Sequence, residues 1–72
     1  MHERDVLICT KQYRDGSVQV EHRDGKGFLL ATYIGYYRNG GVYQLYPMRG
    51  ERHRDMCLAG KKISPRLIEG RC

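Results

Sequence analysis

Histidine and cysteine are the side chains from which a metal centre or a nucleophile is built, and this 72-residue chain has three of each. A tetrahedral zinc site usually draws its donors from two short segments, each holding a close pair. Only His53-x3-Cys57 has that spacing, and no second pair accompanies it. Cys9 and His22 are expected to face each other on neighbouring strands, an arrangement that suits packing better than ligation. A cysteine nucleophile needs a base beside it that is itself held in place. Neither the order nor the spacing of Cys9, Cys57 and Cys72 suggests one. The phosphate-binding pattern GxxxxGK[ST] is absent, and Gly25-Lys26-Gly27 and Gly40-Gly41 read as hairpin turns. His53-Arg54-Asp55 has the letters of a kinase catalytic loop without any lobe around it. The expectation is a protein with no enzymatic activity, no cofactor and no metal.

Tyrosine and arginine carry a stronger signal. Five of the six tyrosines fall between Tyr33 and Tyr46. Tyr33, Tyr37 and Tyr46 are expected on one sheet face, with Arg38, Arg49, Arg52 and Arg54 in loops nearby. Single-stranded nucleic acid is held by a positive groove and by rings on which bases stack. The competing reading buries the same rings, since tyrosine is a good strand former. Met56, Leu58, Ile63 and Leu67 would then cover them. The net charge of +5 is one-sided. Residues 1–36 hold five basic and five acidic side chains, whereas residues 37–72 hold eight basic and three acidic ones. Such asymmetry suits an acidic partner. The expected function is a small basic binding module that takes RNA or single-stranded DNA through its Tyr/Arg surface. The alternative is a compact inhibitor or adaptor of the phage type that docks on a protein, where Tyr and Arg are enriched hot-spot residues.

The elements that position these residues are strands. Turn signals at Arg14-Asp15-Gly16, Arg23-Asp24-Gly25 and Asn39-Gly40 delimit strands at about 6–13, 17–22, 27–37 and 42–46. Asn39-Gly40 is read as a two-residue type I′ turn, which requires positive φ at both positions. It pairs Tyr36 with Tyr43, Ile34 with Leu45, Tyr37 with Val42 and Tyr33 with Tyr46. An Asp15-Gly16 turn pairs Tyr13 with Val18, and a loop at Arg23-Asp24-Gly25 pairs Val20 with Phe28 and Val18 with Leu30. The inward face is then Cys9, Tyr13, Val18, Val20, Phe28, Leu30, Ile34, Tyr36, Tyr43 and Leu45, with Lys11 the one misfit. Gly35, inside a strand, marks a bend.

The fold class expected is all-β, with a possible α+β element at the C-terminus. A four-stranded meander (6–46) closes into a small barrel of the SH3-like or OB-like kind. Residues 47–55 form a charged loop, and 56–72 a closing segment and tail. Within it Met56 to Ala59 reads as a fifth strand, and Ser64-Pro65 as the start of one helical turn. One domain of this size buries only about 60% of its unfolded surface, which favours shallow binding over a deep pocket. A homo-oligomer would also cover a second apolar face. No signal peptide or membrane span is visible, and the odd cysteine count fits a reducing cytoplasm with all three as thiols.

Overall fold

Glycine decides where this chain reverses. The computed structural model describes residues 4–48 and 57–70. Its strands are β1 (Val6–Gln12), β2 (Val18–Arg23), β3 (Leu29–Arg38), β4 (Val42–Pro47), β5 (Lys62–Ile63) and β6 (Ile68–Glu69). The three hairpins that join β1 to β4 share one loop length. Tyr13 N–H donates to Ser17 O at 2.8 Å and Gly16 N–H to Tyr13 O at 3.0 Å, so Arg14, Asp15 and Gly16 form the loop. Asp24 N–H donates to Phe28 O and Gly27 N–H to Asp24 O, both at 3.0 Å, so the second loop is Gly25-Lys26-Gly27. Gly41 N–H donates to Arg38 O at 3.3 Å, and Arg38 pairs with Val42, which makes Asn39-Gly40-Gly41 the third. The last residue of each loop is a glycine with left-handed backbone, at φ 90°, 90° and 76°. Three-residue hairpin loops ending in such a residue are a common form.

This design corrects two of the expected turns and moves the third. The first loop is one residue longer than a two-residue turn. In the second loop the chain reverses at Gly25-Lys26-Gly27 rather than at Arg23-Asp24-Gly25, and Asp24 instead braces it by accepting from Lys26 N–H and Phe28 N–H. Asn39 does not take the positive φ that type I′ needs; Gly40 and Gly41 do. The pairing shifts accordingly. Val20 faces Tyr33 and Val18 faces Gly35, rather than Phe28 and Leu30. Tyr37 faces Tyr43, Tyr36 faces Gln44, Ile34 faces Tyr46 and Tyr33 faces Pro47. Cys9 faces Val20, and His22 faces Leu7. Because side chains alternate, an odd shift carries a whole strand onto the other face. On β3 the inward residues are therefore Ala31, Tyr33 and Gly35, and Phe28 is 68% exposed.

The sheet order is β5-β4-β3-β2-β1-β6, with β6 parallel to β1 and the other pairs antiparallel. It curls into a half-barrel. Leu7, Cys9, Val18, Val20, Ala31, Tyr33, Leu45 and Leu58 make the core on its inner face. Gly35 lies at a tight point of that face. A Cβ there would stand 3.1 Å from Leu45 Cδ2 and 3.2 Å from Val18 Cγ2. Its role is to admit these two side chains. Lys11 ceases to be a misfit because β1 carries one extra residue, Thr10, between Cys9 and Lys11. That bulge turns Lys11 to the outer face, opposite Gln19.

The closing segment differs in detail from expectation. Cys57 to Gly60 is a turn rather than a strand, and it sends Leu58 into the core. Leu58 N–H donates to the Tyr33 hydroxyl at 3.2 Å. The strand that follows, β5, lies at Lys62–Ile63. Ser64 caps a single 3-10 turn at Pro65–Leu67, accepting from Arg66 N–H, with Pro65 in its first turn as its sequence suggests. Cys9 is disulfide-bonded, which overturns the expectation of a thiol there. No helix among the described residues is long and apolar enough to cross a membrane.

Candidate functional site

The outer face of β3 and β4 gathers an aromatic and cationic cluster. Leu45 points inward, so its neighbours Gln44 and Tyr46 point outward. Tyr36 and Arg38 do the same on β3, flanking the inward side of the strand. The Tyr36 and Tyr46 rings meet edge to face, with centroids 5.7 Å apart and planes at 62°. Arg38 spans both rings, its guanidinium carbon 5.7 Å from the Tyr36 centroid and 6.0 Å from that of Tyr46. Its Nε donates to Gln44 Oε1 at 3.1 Å and its Nη2 to the Tyr46 hydroxyl at 3.2 Å. Gln44 Nε2 in turn donates to Gly60 O at 3.4 Å. These bonds set the plane of a side chain that remains exposed. A guanidinium ordered in this way meets a planar or anionic ligand with less entropy left to lose.

The residues expected to act together are divided by the fold. Tyr33 is 0% exposed, in the core, and offers no ring to a partner. Tyr37 is 61% exposed but sits on the inner side, where it meets Tyr43 edge-on at 5.4 Å. Arg38 and Tyr46 are brought together on the outer face. Arg49, Arg52 and Arg54 lie outside the described residues, as does His53. Tyr36 is the member that sequence reasoning missed, having been placed in the core by the two-residue turn. The signal that finds it is Gly41: a third-position glycine lengthens the loop by one residue and turns Tyr36 outward.

Other polar groups offer less. His22 Nε2 lies 2.9 Å from Asp5 Oδ2, and both side chains are almost fully buried. Among the described residues the His22 Nδ1 has no hydrogen-bond partner. Sealed under the sheet, this pair presents no base to solvent; it fastens the chain ahead of β1 to β2. Among the described residues, no three side chains of metal-ligating type stand together. An apolar hollow of about 190 Å³ opens between Cys9, Val18, Tyr43, Pro65, Ile68 and Gly70. A second, of about 300 Å³, is lined by Arg4, Asp5, Asp24, Gly25 and Lys26 and mixes both signs of charge. On the outer face Glu21 is paired with Arg23 at 2.8 Å. That pairing limits its repulsion of an anion. No family model, curated protein or solved structure matches this chain.

The Asp15 carboxyl is perturbed by its loop. Asp15 is held below the ordinary range by the Ser17 hydroxyl and then by the Ser17 N–H, both donating to it. Its role is local, since Ser17 closes the first loop.

Proposed function

We propose that the protein is a non-enzymatic binding module for single-stranded RNA or DNA, acting through the outer face of its sheet. The observation that carries this reading is Arg38, seated across Tyr36 and Tyr46 on an open sheet surface. Stacking on tyrosine is tolerant of base identity, and an ordered guanidinium serves both phosphate and base. The excess positive charge of the second half of the chain supports it by raising the local concentration of a polyanion. Arg49, Arg52 and Arg54 belong to that excess.

Binding of mixed-sequence RNA and single-stranded DNA, titrated with salt, tests the proposal. Affinity falls steeply with salt, because each neutralised phosphate releases counterion. Arg38→Ala weakens binding and reduces the slope of log affinity against log salt by about one. Tyr46→Ala costs about 1–3 kcal/mol of binding. Folded protein that binds neither polymer at low salt sinks the proposal. The second reading, a compact inhibitor or adaptor with a protein partner, then stands. It is favoured by the exposure of Phe28, Tyr37 and Leu67, large apolar side chains of the kind that anchor protein contacts.

A further inference from the structure

We infer that the same face carries a second nucleotide subsite, built by Lys11 and Tyr13 at the end of β1, so that a single strand crosses the sheet from β4 to β1. The inference rests on the nucleic-acid reading above and extends it. Lys11 Nζ stands 4.9 Å from the centroid of the Tyr13 ring. The Tyr13 hydroxyl donates to Gln19 Oε1 at 3.1 Å, which pins the ring toward the outward side of β2. Register then links the two clusters. Gln19 pairs with Ile34, and Ile34 pairs with Tyr46, in one row across β2, β3 and β4. Lys11 stands opposite Gln19 at the other end of that row.

Each cluster thus joins one cation to tyrosine, and half-buried Ile34 lies between them. From Lys11 to Tyr46 is three strand spacings, or about 14 Å. At about 3.4 Å per stacked nucleotide, that is roughly four steps of a single strand. The row lies across the strands and not along them, so the ligand's backbone runs across the sheet. The Thr10 bulge is what makes this possible. Without its extra residue, Lys11 faces the core beside Cys9.

The test uses the full chain and 5′-labelled oligouridylates of three, six and twelve nucleotides, read by fluorescence anisotropy at several salt concentrations. Wild type gains affinity from three to six nucleotides. Tyr13→Ala loses about five- to a hundredfold on the six-mer, the range expected for one stacked base, and is unchanged on the trimer. Lys11→Ala, at an exposed site that leaves the fold intact, lowers the salt slope on the six-mer by about one and leaves it unchanged on the trimer. The inference is overturned if Lys11→Ala binds every length with the wild-type slope while Tyr46→Ala loses affinity; the first subsite then stands alone. Absence of binding at every length in wild type overturns the functional reading and this inference with it. A purely structural role for Tyr13 lowers affinity equally at all lengths, which also counts against the subsite.

Discussion

The two faces of the sheet put tyrosine to opposite uses. On the inner face Tyr33 is completely enclosed, and its hydroxyl is met by the Leu58 N–H from the far end of the chain. On the outer face Tyr36 and Tyr46 are half-buried, pack against each other, and hold Arg38 between them. The same side chain, three residues apart on one strand, is a core element in one case and a candidate contact in the other. The difference teaches that composition does not assign a tyrosine its role. Parity along the strand does, and parity is set by the loops.

Substitutions that separate the faces give graded effects. The largest is expected at Tyr33→Ala, which removes a buried ring and leaves the Leu58 N–H without its partner. A loss of about 3–5 kcal/mol is expected in urea denaturation, enough to unfold a domain this small. A near-native midpoint there places the core elsewhere. Gly35→Ala comes next. Its Cβ meets Leu45 and Val18 at 3.1 and 3.2 Å, so overpacking destabilises by about 1–3 kcal/mol. An unchanged midpoint means that the sheet relaxes at that point. Arg38→Ala reverses the pattern: stability stays within about 0.5 kcal/mol, while binding of single-stranded nucleic acid weakens. Equal damage to both properties turns Arg38 into a structural residue and removes the contrast.

Phe28→Ala has a smaller effect still. With 68% of the side chain exposed, a stability change within about 0.5 kcal/mol is expected. A loss of several kcal/mol would restore the register in which Phe28 lies opposite Val20. The smallest effect belongs to Asp15. Its folded-state value is depressed below 3.8, so it favours the folded state above that pH and loses this contribution as pH falls through the lower folded value. Asp15→Asn therefore flattens the acid limb of a plot of denaturation midpoint against pH below about pH 4. An unaltered acid limb shows that the Ser17 contacts do not persist in solution.

Much of the meander was legible residue by residue. The strands expected at 6–13, 17–22, 27–37 and 42–46 lie within two residues of β1 to β4, because glycine, asparagine and aspartate clusters punctuate them. The cap at Ser64 and Pro65 was equally plain, since an oxygen that accepts two residues on and a ring with fixed φ act locally. The second reversal was not. Asp24-Gly25 and Lys26-Gly27 each offer a glycine to a tight loop, and local chemistry gives neither an advantage. A shift by an even number of residues leaves a face intact; the shift on β3 was odd and inverted it. Half of the candidate site moved with that inversion: Tyr36 came out, and Tyr33 went in. The disulfide at Cys9 likewise had no local sign, since an odd count of cysteines does not reveal pairing.

By itself the sequence determined a basic, all-β chain with three reversals, read at Asp15-Gly16, Arg23-Asp24-Gly25 and Asn39-Gly40 and each within two residues of its place, because left-handed backbone and strand propensity are properties of single residues and their neighbours. Tertiary structure alone decided which face of β3 is buried. That choice depends on Leu45 and Val18 closing over Gly35 and on Leu58 reaching Tyr33 from 25 positions away. Burial of apolar surface is not directional, so it selects among registers only when distant segments meet.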